Sequence, residues 1–252
     1  MEEGQIIFVP VVGGLLLLVL IGMIWDKITA PKKLKQLISA AQVLGLSYQP
    51  ENPEIIKKFN HLSFLHSLST EAIRVLSGQI GKTYINLFFL STKQKEGTKY
   101  VIDVRRVIIL HSPRVNLPCF RLRPEHAAQE TVSRLLRVDW WLGMRSRTGG
   151  SGELAIEDIK FPEDPEFSRL FDLVGEKEAT RGLFDADLRH YLKNHPHKGE
   201  MTMQGWKDAL LWASEDYVLN YKNIGSYIQQ ATYLFELFAS RAEDFGKHQG
   251  LL

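Results

Sequence analysis

Twenty consecutive residues without a charge, Ile6 to Trp25, constrain this chain more than any other stretch: IIFVPVVGGLLLLVLIGMIW. A helix rising 1.5 Å per residue needs roughly 20 apolar residues to cross a hydrocarbon core about 30 Å thick. The run is long enough for one crossing. A cleaved signal peptide would open on basic residues and close at small ones, whereas Glu2 and Glu3 come first here and Met23, Ile24 and Trp25 close the run. A soluble helix of this length would carry a polar face, and none is visible. The sequence therefore predicts an uncleaved transmembrane helix. Pro10 falls close to one interface, where freed carbonyls can be solvated. The spacing of Gly13, Gly14 and Gly22 gives no GxxxG signal for pairing of spans.

The flanks orient the span. No Lys or Arg precedes it, and Lys27, Lys32, Lys33 and Lys35 follow. Positive charge stays on the cytoplasmic side, so the expected placement is a single-pass protein of the cell inner membrane, N-terminus outside and C-terminal domain cytoplasmic. Those lysines are also candidates for contact with anionic headgroups, because in the first turn of a helix they oppose its dipole. The lone Cys119 allows no internal disulfide, which suits a reducing compartment.

About 225 residues follow the span, enough for one sizeable core. The net charge of +2 hides an asymmetry: from Arg105 to Arg147 all nine basic residues are Arg against three acids, and from Glu153 to Asp187 eleven acids face four bases. The two blocks could pair with each other, or the basic one could face an anionic surface.

In chain order the expected segments are a short outer tail (1–5), the span (6–25), a juxtamembrane amphipathic helix (26–45), a helix plus antiparallel meander (46–125), a Trp- and Arg-rich segment with a Gly-rich loop (126–152), a βαββα unit (153–246) and a tail (247–252). Leu34, Leu37, Ile38, Ala41 and Leu44 recur at helical spacing, with Gly45 placed just beyond the end. Asn52, Pro53 and Glu54 read as cap, first position and acidic first turn of a second helix with Ile55, Phe59 and Leu62 inward. From Arg74 the period becomes two: Arg74 to Ile80 and Thr83 to Leu90 flank Gly81-Lys82, which suits a type II′ hairpin turn. Ser91 to Thr98 reads as a polar loop, Tyr100 to Leu110 as a third strand and Cys119 to Arg123 as a fourth. Glu153 to Phe161 and Phe167 to Val174 are expected strands, Glu176 to Phe184 a helix, and Asp185 the cap of another. Met201 to Trp206 and Ala209 to Ala213 form a hairpin around Lys207-Asp208. Ile224, Tyr227, Ile228, Ala231, Leu234, Phe235 and Phe238 mark a closing helix ended by Gly246. The fold class is α+β: a transmembrane helix, then antiparallel sheet with helices packed on one face.

Several short motifs stand in a particular order: Gly45-Leu46-Ser47-Tyr48, the hairpin from Gly78 to Phe89, Pro118 to Glu125 reading PCFRLRPE, Asp158-Ile159-Lys160-Phe161, Pro165-Glu166-Phe167-Ser168, Phe171 to Gly175 and Leu183-Phe184. On these the chain from about Gly45 to Arg241 resembles a family of uncharacterised single-span bacterial membrane proteins. The resemblance implies topology and fold, and carries no activity with it. The chain departs from the pattern between Glu125 and Gly152. There Arg134, Arg137, Arg145 and Arg147 interleave with Trp140 and Trp141 before Thr148-Gly149-Gly150-Ser151-Gly152. Trp and Arg together suit a bilayer interface, while Trp and Leu at helical spacing equally suit a core.

The search for chemistry finds no GxGxxG, GxxxxGK[ST], GxSxG, HExxH or paired CxxC, and no cofactor is expected. Cys119 with His111 or His126 could form a nucleophile and base, but a lone Cys between Pro118 and Phe120 suits a small core residue. His195-Pro196-His197 offers two imidazoles without an acid or thiol to complete a metal shell. Asp185 and Asp187 suit a cap and first-turn acid better than an acid/base pair. Two functions follow: a membrane-anchored binding or assembly module whose partners are the lipid bilayer and another membrane or cytoplasmic protein, with no nucleic acid expected; or a membrane-tethered enzyme with a site near Cys119.

Overall fold

The structure is a computed structural model and describes residues 31–32, 34–65, 70–96, 99–125, 156–214 and 223–248. The expected span, Lys27, Lys33 and the whole Trp- and Arg-rich segment lie outside the described residues. No helix among those described is long and apolar enough to cross a membrane.

Helix α1 (residues 34–43) forms where the apolar spacing predicts, burying Leu37 and Ala41. Gly45, at φ 73°, supplies the left-handed residue that lets the helix stop. The Gly45 N–H donates to the Gln42 carbonyl at 3.0 Å and the Leu46 N–H to the Ala41 carbonyl at 2.9 Å. That pair of bonds is a Schellman close, and it turns the chain into β1 (Ser47–Glu51). Helix α2 (Pro53–Lys58) is capped by Asn52, whose side chain accepts from the Glu54 N–H at 3.1 Å.

Strand β2 (Thr70–Ile80) begins four residues before the predicted start. Its pairing with β3 (Thr83–Glu96) slips between Ile73 and Leu76, and Arg74 takes φ 52°. Two residues on β2 face one on β3, so Ala72 and Val75 fall on the same side of the sheet. Alternation breaks at that bulge, which is where a period-two reading starts the strand too late. The Gly81-Lys82 turn follows, with Gly81 at φ 60° as a II′ turn requires.

The expected polar loop from Ser91 is instead ladder. β3 continues to Glu96 and β4 (Lys99–His111) starts at Lys99, paired throughout. Backbone hydrogen bonds set a ladder, and they do not need apolar side chains to extend a hairpin.

The meander then breaks. Strand β5 (Leu117–Pro124) does not lie beside β4; it pairs with β7 (Phe171–Glu176) and β8 (Met201–Lys207), and the β8–β9 hairpin, with β9 at Ala209–Ser214, inserts between β4 and β5. The chain crosses over the tip of that hairpin, where the Ser112 N–H donates to the Asp208 carbonyl at 3.0 Å. With β6 (Ile156–Asp158) on the far edge, the strand order is β1-β2-β3-β4-β9-β8-β5-β7-β6 in one nine-stranded antiparallel sheet.

Two further expectations are corrected between residues 153 and 176. Of the described residues of the predicted first strand, 156–161, only Ile156–Asp158 are strand, and the predicted strand from Phe167 opens as helix α3 (Pro165–Leu170). Asp164 caps it, accepting from the Phe167 N–H at 3.2 Å, and Pro165 occupies the first turn. An Asp-Pro start outweighs the aromatic content that suggested a strand. Helices α4 (Lys177–Leu183) and α5 (Ala186–Asn194) follow as predicted, the latter capped by Asp185, which accepts from the Leu188 N–H at 2.8 Å. Helix α6 (Ile224–His248) runs past Gly246, since a glycine inside a helix costs only about 1 kcal/mol.

The main core lies between one face of the sheet and α1, α3, α4, α5 and α6. Helices are not confined to that face. Ile55, Phe59, Leu62 and Leu65, from α2 and the turn after it, bury Val75, Phe88, Val107, Ile109 and Leu211 on the other. Strands β4 and β9 carry apolar residues at successive positions, so both of their faces need a cover.

Candidate functional site

Of the predicted membrane-contact residues, Lys32 and Lys35 are exposed at the start of α1. They sit on a helix whose other face is locked into the core by Leu37 and Ala41. Lys27, Lys33, Arg134, Arg137, Trp140, Trp141, Arg145 and Arg147 lie outside the described residues.

Cys119 is buried beside Ile156 and Val174. Burial, and then the negative charge of Glu176, push its thiol up to about 12. The Glu176 carboxylate accepts the Cys119 backbone N–H at 2.7 Å, so the negative group that holds this strand also disfavours a thiolate. His111 is buried on the face covered by α2, between Phe59 and Tyr84, with Lys58 Nζ 3.2 Å from its Nε2. Burial and that ammonium both lower its pKa. His126 lies outside the described residues. Asp187 is a first-turn acid of α5, and Asp185 also accepts from Arg241 Nε on α6 at 2.8 Å. No group of three His, Cys, Asp or Glu suited to a metal occurs among the described residues.

Among the described residues, the basic and acidic blocks meet at a buried ion pair. Arg123 Nε donates to Asp172 at 2.8 Å across β5 and β7, with both side chains almost wholly out of water. Around Phe161 a second set gathers: Asp164 accepts from Lys193 at 2.8 Å and from Arg189 at 3.3 Å, and the Arg189 guanidinium lies 4.3 Å from the ring. These bonds hold the Asp164 carboxyl below its usual range despite its partial desolvation. Both sets join neighbouring elements, and each brings its cation directly onto a carboxylate.

A third cluster is not closed. Arg106 of β4, Trp212 of β9, Tyr227 of α6 and His195, just after α5, are all buried on the main-core side of the sheet. The Arg106 guanidinium lies 4.2 Å from the Tyr227 ring centre, Tyr227 is 4.9 Å from Trp212, and Trp212 is 5.4 Å from His195 in an edge contact. Half-buried Tyr191 and His197 flank His195 at 5.6 and 5.7 Å, and Tyr233 beyond Tyr191 is exposed. Burial, with His197 adding to it, pushes His195 down to about 4, so its ring is neutral at pH 7. Its Nδ1 accepts the His197 N–H at 3.2 Å, which places the ring proton on Nε2. Burial pushes the Tyr227 phenol up to about 12 against the opposing pull of Arg106.

Sequence reasoning placed none of these four in a shared cluster. His195 was weighed only as half of a metal pair and Tyr227 only as a core residue, while Arg106 and Trp212 were not singled out. One signal was present: Arg106 shares the strand parity of Ile108 and Leu110, so an alternating strand places its cation on the face that packs.

With this geometry in hand, the chain can be set beside known proteins. No family model and no curated protein matches it. Among solved structures it is similar to the crystal structure of the mycobacterial trehalose monomycolate transport factor A, TtfA, with a TM-score of 0.52 and 14% sequence identity, over 82% of this chain and 93% of that one. The two share a fold. At that identity the likeness concerns architecture: the large antiparallel sheet with its helices is common to both, and residue roles do not transfer.

Proposed function

We propose that the chain is a single-pass membrane protein whose cytoplasmic α+β domain is a binding or assembly module, serving a membrane transport apparatus as an accessory factor and not as its catalyst. The carrying observation is the likeness to TtfA over 93% of that chain, because TtfA is named a transport factor. Two physical features support the reading. The uncharged run Ile6 to Trp25 with its lysine-rich following flank fits one span with the N-terminus outside. Leu37, which is fixed in the core, stands only twelve positions after Trp25, so the tether reaches at most about 40 Å even when fully extended. A domain held that close meets membrane partners far more often than soluble ones. The bilayer and a second protein of the membrane or cytoplasm are then its partners, and lysines such as the exposed Lys32 and Lys35 face anionic headgroups.

Topology and partnership are tested together. The full chain, tagged at its C-terminus, should stay with membranes through alkaline extraction, and protease added outside intact cells should leave the tag untouched. Purified in mild detergent after in-cell crosslinking, it should carry one integral membrane protein in fixed stoichiometry. Cleavage of the tag from outside would overturn the orientation. A chain recovered alone from crosslinked membranes would overturn the assembly role.

A further inference from the structure

The cluster of Arg106, Trp212, Tyr227 and His195 has an unusual balance. Arg106 Nε, Trp212 Nε1 and His195 Nε2 are buried without a hydrogen-bond partner, and the buried Tyr227 hydroxyl, which can accept from the neighbouring Arg106 guanidinium, has no acceptor for its own proton. Each is a donor: the guanidinium and the indole have no acceptor atom, the imidazole proton is placed on Nε2, and Arg106, having only donors, cannot take the phenolic proton. No carboxylate pairs with Arg106 among the described residues, and its one described partner of any kind is the Tyr227 side chain. A buried cation and four unmet donors in one contiguous patch are costly unless an acceptor joins them.

The chemistry narrows what that acceptor is. A metal ion is excluded, since the groups donate and do not ligate. A water molecule accepts at most two of the bonds, adds protons of its own and leaves the cation uncompensated. A neutral carbonyl likewise leaves the charge. A phosphate or carboxylate satisfies both demands, with several lone pairs for the donors and negative charge for Arg106. The surroundings are apolar: Ile108 and Met203 are Trp212's neighbours across the ladder, on either side of β9, and Ile228 follows Tyr227 on α6. Low dielectric there strengthens a charge-assisted bond.

We propose that Arg106, His195, Trp212 and Tyr227 form a binding site for a small oxyanion, a phosphate or carboxylate, held between α6 and strands β4 and β9. The proposal does not depend on the chain being an assembly factor. Free phosphate and the acidic head of a lipid present the same chemistry to it.

The test uses the full chain in mild non-ionic detergent with its tryptophan indole nitrogens labelled. The Trp212 indole signal is identified by its loss in Trp212→Phe. Inorganic phosphate, acetate and dihexanoyl phosphatidic acid are titrated in turn, with chloride at matched ionic strength as the control. The site predicts a saturable shift of the Trp212 signal that chloride does not produce. Arg106→Gln should weaken the binding about tenfold or more, because a charge-assisted bond is lost. Tyr227→Phe keeps the ring and removes only the hydroxyl, so it should fold and still bind several-fold more weakly. A response to phosphate or acetate alone supports a free-anion site; a response confined to the phosphatidic acid supports a lipid-head site. Absence of a saturable shift with every probe, or unchanged affinity in Tyr227→Phe, overturns the proposal and leaves the donors to water. If Arg106→Gln fails to fold, Tyr227→Phe decides alone.

Discussion

Replacing Gly205 with alanine should destabilise the domain, and the sign of that change tests how the core is built. A Cβ on Gly205 would stand 2.2 Å from Phe120 Cε1, 2.8 Å from Cζ and 2.9 Å from Cδ1. Carbon atoms prefer about 3.5–4.0 Å, so the ring must retreat by more than about 1 Å. It has nowhere to go: Phe120 is fully buried, stacked on Phe238 at 5.3 Å and edge-on to Phe184 at 5.1 Å. Overpacking of this kind costs about 1–3 kcal/mol. Against it runs the entropy of the unfolded chain, which favours alanine over glycine by about 0.5–1 kcal/mol. The balance is a loss of about 1–2 kcal/mol, or a fall in Tm of roughly 2–8 °C for a domain of this size. Thermal unfolding of the full chain in mild detergent, followed by near-ultraviolet circular dichroism, measures it. Adding Phe120→Leu should recover part of the loss, so that the double variant is less destabilised than the two single changes summed. A Gly205→Ala chain as stable as the wild type, or more stable, would refute the claim that β8 lets the backbone approach a locked ring.

Three other changes follow from the same packing. Phe235→Ala removes a fully buried ring from α6 and should cost about 3–5 kcal/mol in chemical unfolding; a loss under about 1 kcal/mol would place that face outside the core. Cys119, with its thiol pushed up to about 12, should resist maleimide at pH 8 in the folded chain and react fully in denaturant; rapid labelling of the folded chain would contradict its burial. His195 titrates near 4 when folded and near its ordinary 6.5 when unfolded, so the unfolded chain binds more protons between those values. Stability from this group is then complete above about pH 6.5 and is lost as the pH falls toward 4, by roughly 1–3 kcal/mol with allowance for residual solvation. His195→Gln should flatten that part of the stability profile, and an unchanged slope would show that another group sets it.

The elements that could be read from sequence are those whose local signals agree with their packing. Helix α1 carries a regular apolar stripe and a glycine stop, and α2 and α5 begin at Asn52 and Asp185, whose side chains accept the bonds that a cap must accept. The failures occur where a backbone irregularity breaks a period or a long-range pairing decides. Arg74 sits in a bulge that shifts the alternation of β2 by one, so the strand's first residues look out of phase. Phe167 and Phe171 read as one aromatic run, yet Asp164 and Pro165 commit the first to a helix and leave only the second to begin β7. Neither the neighbour of β5 nor the second helical layer over β2, β3, β4 and β9 has a local signal, because both depend on which strands the β8–β9 hairpin slots between.

The same division explains why the open polar cluster as a whole has no signal in the sequence while the capping acids have one. A span, a cap or a nucleophile motif is a pattern of neighbours in the chain, and Arg106, His195, Trp212 and Tyr227 are separated by up to 121 residues. What joins them is register. Arg106 faces Ser214 and Ile108 faces Trp212 across β4 and β9, so alternation places the guanidinium and the indole two positions apart on the same face. Helix α6 then lays Tyr227 against both, and the residues after α5 bring His195 edge-on to the indole. Each of the four is ordinary where it stands, an interior aromatic or a strand residue. Their common property, a donor without an acceptor, exists only after β9 has been placed beside β4, and that pairing is the one the meander expectation got wrong.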